Sequence, residues 1–139
     1  MKFINDQAAE IRYILQNTTT IAVVGLSPKP SRPSNQVAQY LKNNGYTIIP
    51  VNPGQDTLLG LPCYPNLQSI PGPVDMVDIF RRSEFVLPVV EEAITIKAKV
   101  IWMQSGIINE EAAELAKKAG LAVIMDRCTM VDHRTCCKT

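Results

Sequence analysis

Five short apolar runs, rich in β-branched residues, alternate along the chain with amphipathic helical segments, and this alternation restricts the fold more than any other feature. The runs occupy residues 18–25, 46–51, 74–80, 99–106 and 121–126. A chain in which strands and helices take turns forms a largely parallel sheet, because each helix carries the chain back to the starting edge. The sequence therefore predicts an α/β fold: a Rossmann-like, doubly wound, mostly parallel sheet with helices on both faces.

Four helices are predicted from the 3.6-residue spacing of apolar side chains and from end signals. The first covers Ile4 to Leu15. The second covers 34–44 and begins with Ser34 as its N-cap. The third has Pro88 in its first turn, where a missing N–H group costs little. The fourth covers 109–120, with an asparagine cap, acidic residues in its first turn and lysines in its last.

Two segments lie outside this alternation. A short strand over 61–64, of open direction, is expected in the proline-rich connection, and a polar tail is expected over 127–139. A chain of 139 residues is long enough for one domain with a sizeable core. We therefore expect a single domain over 1–139, with its N-terminal helix inside 1–17.

Composition and charge exclude several classes of protein. The formal net charge of +1 is too small for a broad nucleic-acid-binding face. No apolar run reaches the roughly 20 residues that cross a membrane, and the start at Met1 lacks the apolar region of a signal peptide. We therefore expect a cytoplasmic protein with no nucleic-acid or membrane partner, whose four cysteines are thiols.

The turn after the first apolar run is the predicted ligand site. In a doubly wound sheet the ligand binds outside the carboxyl ends of the strands, where the strand order reverses. In the Rossmann order this reversal lies between the first strand and the strand that begins at Val74. Residues 25–27 are therefore expected to lie beside residues 80–82.

This turn does not have the chemistry of a dinucleotide site. A G-x-G-x-x-G fingerprint that starts at Gly25 needs glycines where the chain has Ser27 and Pro30. The acidic residue that would bind the NAD ribose after the second strand is replaced by Asn52-Pro53. The strand–loop–helix arrangement is kept, and the groups specific for NAD are absent.

The same loop favours an anion. A helix that starts near Ser34 presents free N–H groups and the positive end of its dipole, and Ser27 adds a hydroxyl. No acidic residue lies between Ala22 and Asn35. The nearby cations are Lys29, Arg32, Arg81 and Arg82. The alternative is that these cations are solvated surface residues and that Gly25 only forms a tight turn.

Several blocks of the sequence resemble a known family. The blocks "IAVVGLS", "GYTIIPVNP", "VDMVDIFRRSE" and "MDRC" follow the order seen in the small stand-alone CoA-binding proteins. That family is similar to the N-terminal CoA-binding domain of the succinyl-CoA synthetase alpha subunit. The resemblance extends from about Thr20 to His133. It implies a Rossmann-like fold that binds coenzyme A or an acyl-CoA across the carboxyl edge of the sheet.

The resemblance also implies which residues contact the ligand. The turn under the phosphates would be Gly25, Leu26 and Ser27. The phosphate-facing helix start would be Arg32, Pro33 and Ser34. The nucleotide would be flanked by Asn52 and Pro53, and its adenine and ribose side lined by Phe80 and Arg81. The far wall, toward the pantetheine, would be Gln104, Ser105 and Gly106.

No catalytic arrangement is found in the sequence. The synthetase keeps its phosphorylated histidine in a second domain, whereas the only histidine here is His133, preceded by Asp132 where the family more often has glutamate. We therefore expect ligand binding without the ligase reaction. The alternatives are a nucleotide-dependent enzyme (an oxidoreductase or an acyl-CoA-using enzyme) and a regulatory partner subunit of an acyl-CoA enzyme.

Six other residues have a simple structural interpretation. Cys128 follows the last strand, where it is expected to be an inert thiol, with a mixed disulfide to CoA as the less favoured alternative. The odd spacing of Asp75 and Asp78 puts them on opposite faces of a strand, which argues against a paired-carboxylate site. Trp102 is expected in the core. Cys136 and Cys137 are adjacent, a spacing unsuited to structural zinc.

Overall fold

The computed structural model describes residues 6–137 and contains a five-stranded parallel sheet flanked by helices. The strands of the sheet are β1 (Thr20–Val24), β2 (Thr47–Val51), β5 (Met76–Ile79), β6 (Val100–Met103) and β7 (Ala122–Ile124). A small antiparallel hairpin consists of β3 (Thr57–Leu58) and β4 (Leu61–Pro62). The helices are α1 (Gln7–Asn17), α2 (Pro33–Asn43), α3 (Val86–Thr95), α4 (Glu110–Lys118) and α5 (Thr129–Cys136). The predicted helix position Ile4 lies outside the described residues.

The strand order is β2-β1-β5-β6-β7, and every neighbouring pair is parallel. The order reverses between β1 and β5, as the sequence predicts, so the carboxyl ends of these two strands lie side by side. Two backbone hydrogen bonds continue the pairing beyond the strands. Gly25 N–H donates to the Val51 carbonyl (3.0 Å), and Phe80 N–H donates to the Val24 carbonyl (2.9 Å). The reversal therefore brings residues 25 and 80 together.

The core consists of two apolar clusters, one on each face of the sheet. In β1, Ala22 and Val24 belong to the cluster that contains α3 and α4, whereas Ile21 and Val23 belong to the cluster that contains α1 and α2. This alternation follows from the two-residue period of a strand that is buried on both faces. Trp102 is fully buried in the second cluster, which confirms its predicted place in the core.

The predicted ends of two helices are confirmed. Pro88 is the third residue of α3 and so lies in its first turn. Asn109 caps α4, since its Oδ1 accepts a hydrogen bond from the Ala112 N–H group (2.9 Å). Glu110 begins that helix and Lys118 ends it, so charges of both signs lie at the favourable ends of its dipole.

The predicted start of α2 at Ser34 is wrong. The N-cap is Arg32, Pro33 is the first helical residue, and Ser34 is the second. Proline suits that first position because its fixed φ angle is already helical and its missing N–H group would have no partner there. The hydroxyl of Ser34 instead accepts a hydrogen bond from the Ser27 N–H group.

The predicted strand over 61–64 is split. Its first two residues form β4, which pairs antiparallel with β3, whereas Tyr64 forms an isolated parallel bridge with Val51. The hairpin therefore lies beside the sheet and does not add a strand to it.

The predicted polar tail over 127–139 is wrong for most of its length, because residues 129–136 form helix α5, packed against α1 and α2. The Nδ1 atom of His133 is 2.7 Å from the Tyr40 hydroxyl. Arg127 forms two hydrogen bonds of 2.8 Å with the Asp132 carboxylate. Buried polar partners thus hold a helix whose sequence lacks a strong apolar stripe.

The expectation of four thiols is also corrected. Cys136 and Cys137, neighbours at the end of α5, form a disulfide, whereas Cys63 and Cys128 are free. None of the helices within residues 6–137 is long and apolar enough to span a bilayer.

Candidate functional site

The turn after β1 requires glycine for two reasons. Gly25 has a φ angle of +86°, which side-chain-bearing residues rarely adopt. A Cβ atom at this position would lie 2.5 Å from the Phe80 carbonyl oxygen. The chain that leaves β1 therefore passes directly against the chain that leaves β5, and this contact closes the floor of the site.

Two polar side chains of α2 hold the loop that follows this turn. The Ser27 N–H group donates to Ser34 Oγ (2.9 Å), and Asn35 Nδ2 donates to the Ser27 carbonyl (2.9 Å). Ser34 and Asn35 are both buried. The Ser27 hydroxyl in turn accepts a hydrogen bond from the Lys29 N–H group (3.1 Å). The loop is therefore ordered before any ligand binds, which lowers the entropic cost of binding.

Asn52 connects the same loop to the turn after β2. Its Nδ2 donates to the Leu26 carbonyl (2.9 Å), and its Oδ1 accepts from the Gly54 N–H group (2.8 Å). The side chain of Leu26 is fully buried in the core. Asn52 and Leu26 were both predicted to contact the ligand. The side-chain amide of Asn52 instead makes hydrogen bonds within the protein, and the side chain of Leu26 packs in the core.

Two adjoining cavities open at the carboxyl edge of the sheet. The first, which we call the loop cavity, has a volume of about 320 Å³ and is lined by Gly25, Ser27, Lys29, Arg32, Pro33, Ser34 and Phe80. The second, which we call the strand-end cavity, has a volume of about 400 Å³ and is lined by Pro33, Val37, Phe80, Arg81, Arg82, Gln104, Ser105, Ile107 and Cys128. Pro33 and Phe80 belong to both linings, so the two cavities form one continuous depression. Their volumes fall in the range of about 300–1,000 Å³ that is usual for ligand sites.

Most of the residues predicted to bind the ligand lie in these two linings. The exceptions are Leu26, Asn52, Pro53 and Gly106. The N–H group of Gly106 donates to Asp126 Oδ1 (2.6 Å), which makes this glycine part of the connection between two strand ends.

Asn35 and the apolar part of the strand-end cavity are not among the residues predicted from the sequence. Asn35 lies one turn before Ala38, on the inward side of α2, and a polar residue on a buried helix face was an available signal. Val37 and Ile107 had no such signal, because an apolar side chain that lines a cavity is indistinguishable in sequence from one in the core.

Among the described residues, no ion pair neutralises the positive charges of the site. Over residues 6–137 the ion pairs are Lys99–Asp75 and Arg127–Asp132, and neither belongs to the two cavities. The cations of the two linings are Lys29, Arg32, Arg81 and Arg82. The loop cavity also faces the first turn of α2, which the described part of the chain leaves without a side-chain cap. Cations together with a helix N-terminus attract an anion.

A buried polar network lies behind the strand-end cavity. Gln104 Nε2 donates to Asp78 Oδ1 (2.6 Å) and to Thr129 Oγ1 (2.8 Å), and Thr129 Oγ1 donates to Asp78 Oδ2 (3.2 Å). Desolvation by burial raises the pKa of Asp78 to about 7, although both hydrogen bonds act in the opposite direction. The network joins β5, β6 and α5, and it fixes the Gln104 amide at the cavity wall.

The two aspartates of the third predicted strand, Asp75 and Asp78, have different hydrogen-bond partners and do not form a carboxylate pair. Asp75 precedes β5 and accepts hydrogen bonds from the Thr19 and Thr20 N–H groups (2.9 and 3.0 Å). Asp78 is enclosed in the network described above. The described residues contain no group of three or more side chains suited to hold a metal ion.

Comparisons with known proteins agree on one family. The family model "CoA binding domain" matches residues 19–134. The uncharacterized protein YneT of Bacillus subtilis is 47% identical over 129 residues, which cover 93% of this chain and 96% of YneT. A hypothetical protein from Pyrococcus horikoshii with a solved structure has a TM-score of 0.93 and 39% identity, and the match covers 99% of this chain and 98% of that one.

A larger enzyme contains a similar segment. Acetate–CoA ligase [ADP-forming] I of Archaeoglobus fulgidus is 30% identical over 118 residues, a match that covers 78% of this chain but 17% of the ligase. This chain is therefore similar to one part of that enzyme.

Proposed function

Since this chain belongs to the family of CoA-binding domains, we propose that it binds coenzyme A or an acyl-CoA across the carboxyl edge of its sheet. One observation carries the proposal: two adjoining cavities at the reversal of the strand order, with cations that have no acidic partner among residues 6–137. An elongated ligand with phosphates and a long flexible arm matches this depression, whose loop cavity is cationic and whose strand-end cavity combines two arginines with apolar side chains.

The pyrophosphate would lie in the loop cavity. There the N-terminus of α2 contributes roughly 0.3–1 kcal/mol, and hydrogen bonds from Lys29 and Arg32 to a phosphate contribute about 1.5–3 kcal/mol each. Burial of the adenine and of the pantetheine arm would add to these contributions and help to offset the cost of association.

The rest of the ligand would extend into the strand-end cavity. Phe80 and Arg81 would line the adenine and ribose, and Gln104 and Ser105 would form the wall toward the pantetheine. Asn52 would act indirectly, because its amide holds the Leu26 carbonyl and so fixes the loop.

We further propose that the protein binds this ligand without a reaction of its own. His133 interacts with the Tyr40 hydroxyl and packs against Tyr46, and it does not belong to either cavity lining. Ser105 and Cys128 are nucleophilic side chains in the strand-end cavity, and no histidine lines that cavity to activate either of them. We also propose a cytoplasmic location, which the free thiols Cys63 and Cys128 support and the Cys136–Cys137 disulfide does not.

Calorimetric titration of the purified protein with CoA, acetyl-CoA and NAD tests the proposal. We expect saturable binding of both CoA compounds with dissociation constants near the micromolar range, and no saturable binding of NAD. Native mass spectrometry of the freshly purified protein is expected to show a ligand of CoA mass. Saturable heat with NAD and none with either CoA compound would refute the proposal.

A further inference from the structure

Arg81 and Arg82 follow β5 and bring two positive charges to the strand-end cavity. Arg81 lies beside the glycine turn, since its Cδ is 3.6 Å from the position that a Cβ atom would take at Gly25. Its Nε is buried, and among the described residues it has no hydrogen-bond partner. A buried donor without a partner is costly, so a ligand atom that accepts from this group would stabilise the site.

No acidic side chain lines this cavity within the described part of the chain. The buried carboxylate behind it, that of Asp78, already accepts hydrogen bonds at both oxygens, from Gln104 and Thr129. The guanidinium groups of Arg81 and Arg82 therefore face a cavity whose charge the described residues do not balance.

These two arginines are separate from the cations of the loop cavity. Lys29 and Arg32 line the loop cavity alone, Arg81 and Arg82 line the strand-end cavity alone, and only Pro33 and Phe80 line both. A ligand with a single anionic group would neutralise one pair of cations and leave the other pair unpaired.

We propose that Arg81 and Arg82 form a second anion subsite, which recognises an anionic group of the CoA ligand other than its pyrophosphate. This inference depends on the proposed CoA binding and adds a specificity to it. CoA chemistry offers two such groups: the 3′-phosphate on the ribose and a carboxylate at the end of a dicarboxylic acyl chain. Both are oxyanions that accept the paired N–H groups of a guanidinium.

Four ligands distinguish these sources in calorimetric titrations of the intact protein. Dephospho-CoA differs from CoA by the 3′-phosphate, and succinyl-CoA differs from acetyl-CoA by a terminal carboxylate. For the wild-type protein we expect one of the two pairs to differ by at least about tenfold in Kd, the usual effect of one charge-assisted contact. In Arg81→Ala and Arg82→Ala we expect that ratio to fall toward about one, because both members then lack the contact.

Arg12→Ala is the matched control. Arg12 is exposed on α1 and lies outside the two cavity linings, so this substitution removes the same charge without changing the proposed subsite. It is expected to keep the wild-type ratio. Circular dichroism and thermal melting establish that each variant is folded. Arg82 is exposed, so its variant remains informative if the part-buried Arg81 variant fails to fold.

A ratio lost in the dephospho-CoA arm assigns the subsite to the 3′-phosphate, and a ratio lost in the succinyl-CoA arm assigns it to an acyl carboxylate. If the wild-type protein binds all four ligands alike, or if the arginine variants weaken all four by the same factor, CoA binding stands and the second subsite is refuted. If the wild-type protein binds none of the four, both proposals fail.

Discussion

The two edges of the sheet differ more in how their charges are paired than in the space they enclose. The amino edge has the larger cavity, about 630 Å³, between α1 and the starts of β5, β6 and β7. The carboxyl edge has the loop cavity of about 320 Å³ and the strand-end cavity of about 400 Å³. The two cavities of the carboxyl edge together are at least as large as that of the amino edge, so volume alone does not distinguish the two edges.

At the amino edge the positive charge of Lys99 is paired with Asp75. Asp75 accepts hydrogen bonds from the Thr19 and Thr20 N–H groups and lies 3.6 Å from the Lys99 ammonium. Burial acts to raise the pKa of Asp75, but these two N–H groups and Lys99 outweigh it, so its pKa is lowered. At the carboxyl edge the cations have no such partners within residues 6–137. Unpaired positive charge, not cavity size, therefore supports the carboxyl edge as the proposed binding edge.

The largest expected effect comes from adding a methyl group to the turn of the carboxyl edge. Gly25→Ala puts a Cβ atom 2.5 Å from the Phe80 carbonyl oxygen and also forces alanine to a φ of +86°. We expect a loss of about 2–5 kcal/mol in the free energy of unfolding, since backbone displacement adds to the cost of the left-handed conformation. Urea denaturation measures this loss.

Gly120→Ala at the amino edge separates these two contributions. Gly120 has a similar φ of +92°, and no atom lies within 4 Å of its Cβ position. We expect this variant to lose only about 1–2 kcal/mol and to keep its CoA affinity. Equal losses in the two alanine variants would show that the contact with Phe80 does not matter.

The second prediction concerns the pH dependence of the two aspartates. Asp78 has a pKa of about 7 in the folded protein against the ordinary value of 3.8, so between these values the folded state binds the proton and the unfolded state does not. Stability therefore falls as pH rises from about 4 to about 7, by about 3–4 kcal/mol in total. Chemical denaturation at a series of pH values measures this slope, and Asp78→Asn is expected to remove it.

Asp75→Asn serves as the control from the opposite edge. Because the pKa of Asp75 is lowered, its carboxylate adds stability at high pH that is lost as pH falls below about 4. Its variant should therefore keep the slope between pH 4 and 7. A slope in that range that survives Asp78→Asn and disappears in Asp75→Asn would contradict the assignment.

The sequence alone predicts the parallel sheet, the reversal of strand order and the meeting of Gly25 with Phe80. These depend on apolar periodicity and on chain connectivity, both of which are local properties of the sequence. Helix α5 was missed because its packing depends on distant polar partners, such as the contact between His133 and Tyr40. Contacts of this kind across 93 residues leave no periodic signal.

The place of the candidate site could be predicted from the same periodicity and connectivity, whereas its contacts with a ligand stay predictions. Lys29 and Arg32 stand out as cations in a stretch without acidic residues, whereas Arg81 was expected beside them from the reversal of the strand order. The two hydrogen bonds that Ser34 and Asn35 make with the Ser27 backbone were not predictable, because they require the helix to begin at Pro33. One residue of difference in a helix start changes which side chain caps and which side chain supports the loop.

The smallest expected effect tests whether the charge of the loop cavity acts on the ligand rather than on the fold. Arg32 is exposed, lines the loop cavity and has no ion-pair partner among the described residues, so Arg32→Glu should leave the free energy of unfolding nearly unchanged. We expect it to weaken CoA binding at least about tenfold, or 1.4 kcal/mol, because an attraction to phosphate becomes a repulsion. Lys99→Glu makes the same charge reversal at the amino edge, where it breaks the pair with Asp75 and should alter stability while CoA affinity is kept. Unchanged affinity in Arg32→Glu would mean that the Arg32 side chain points to solvent. A loss of affinity in both variants would mean that the protein attracts CoA through its total charge rather than through the carboxyl edge.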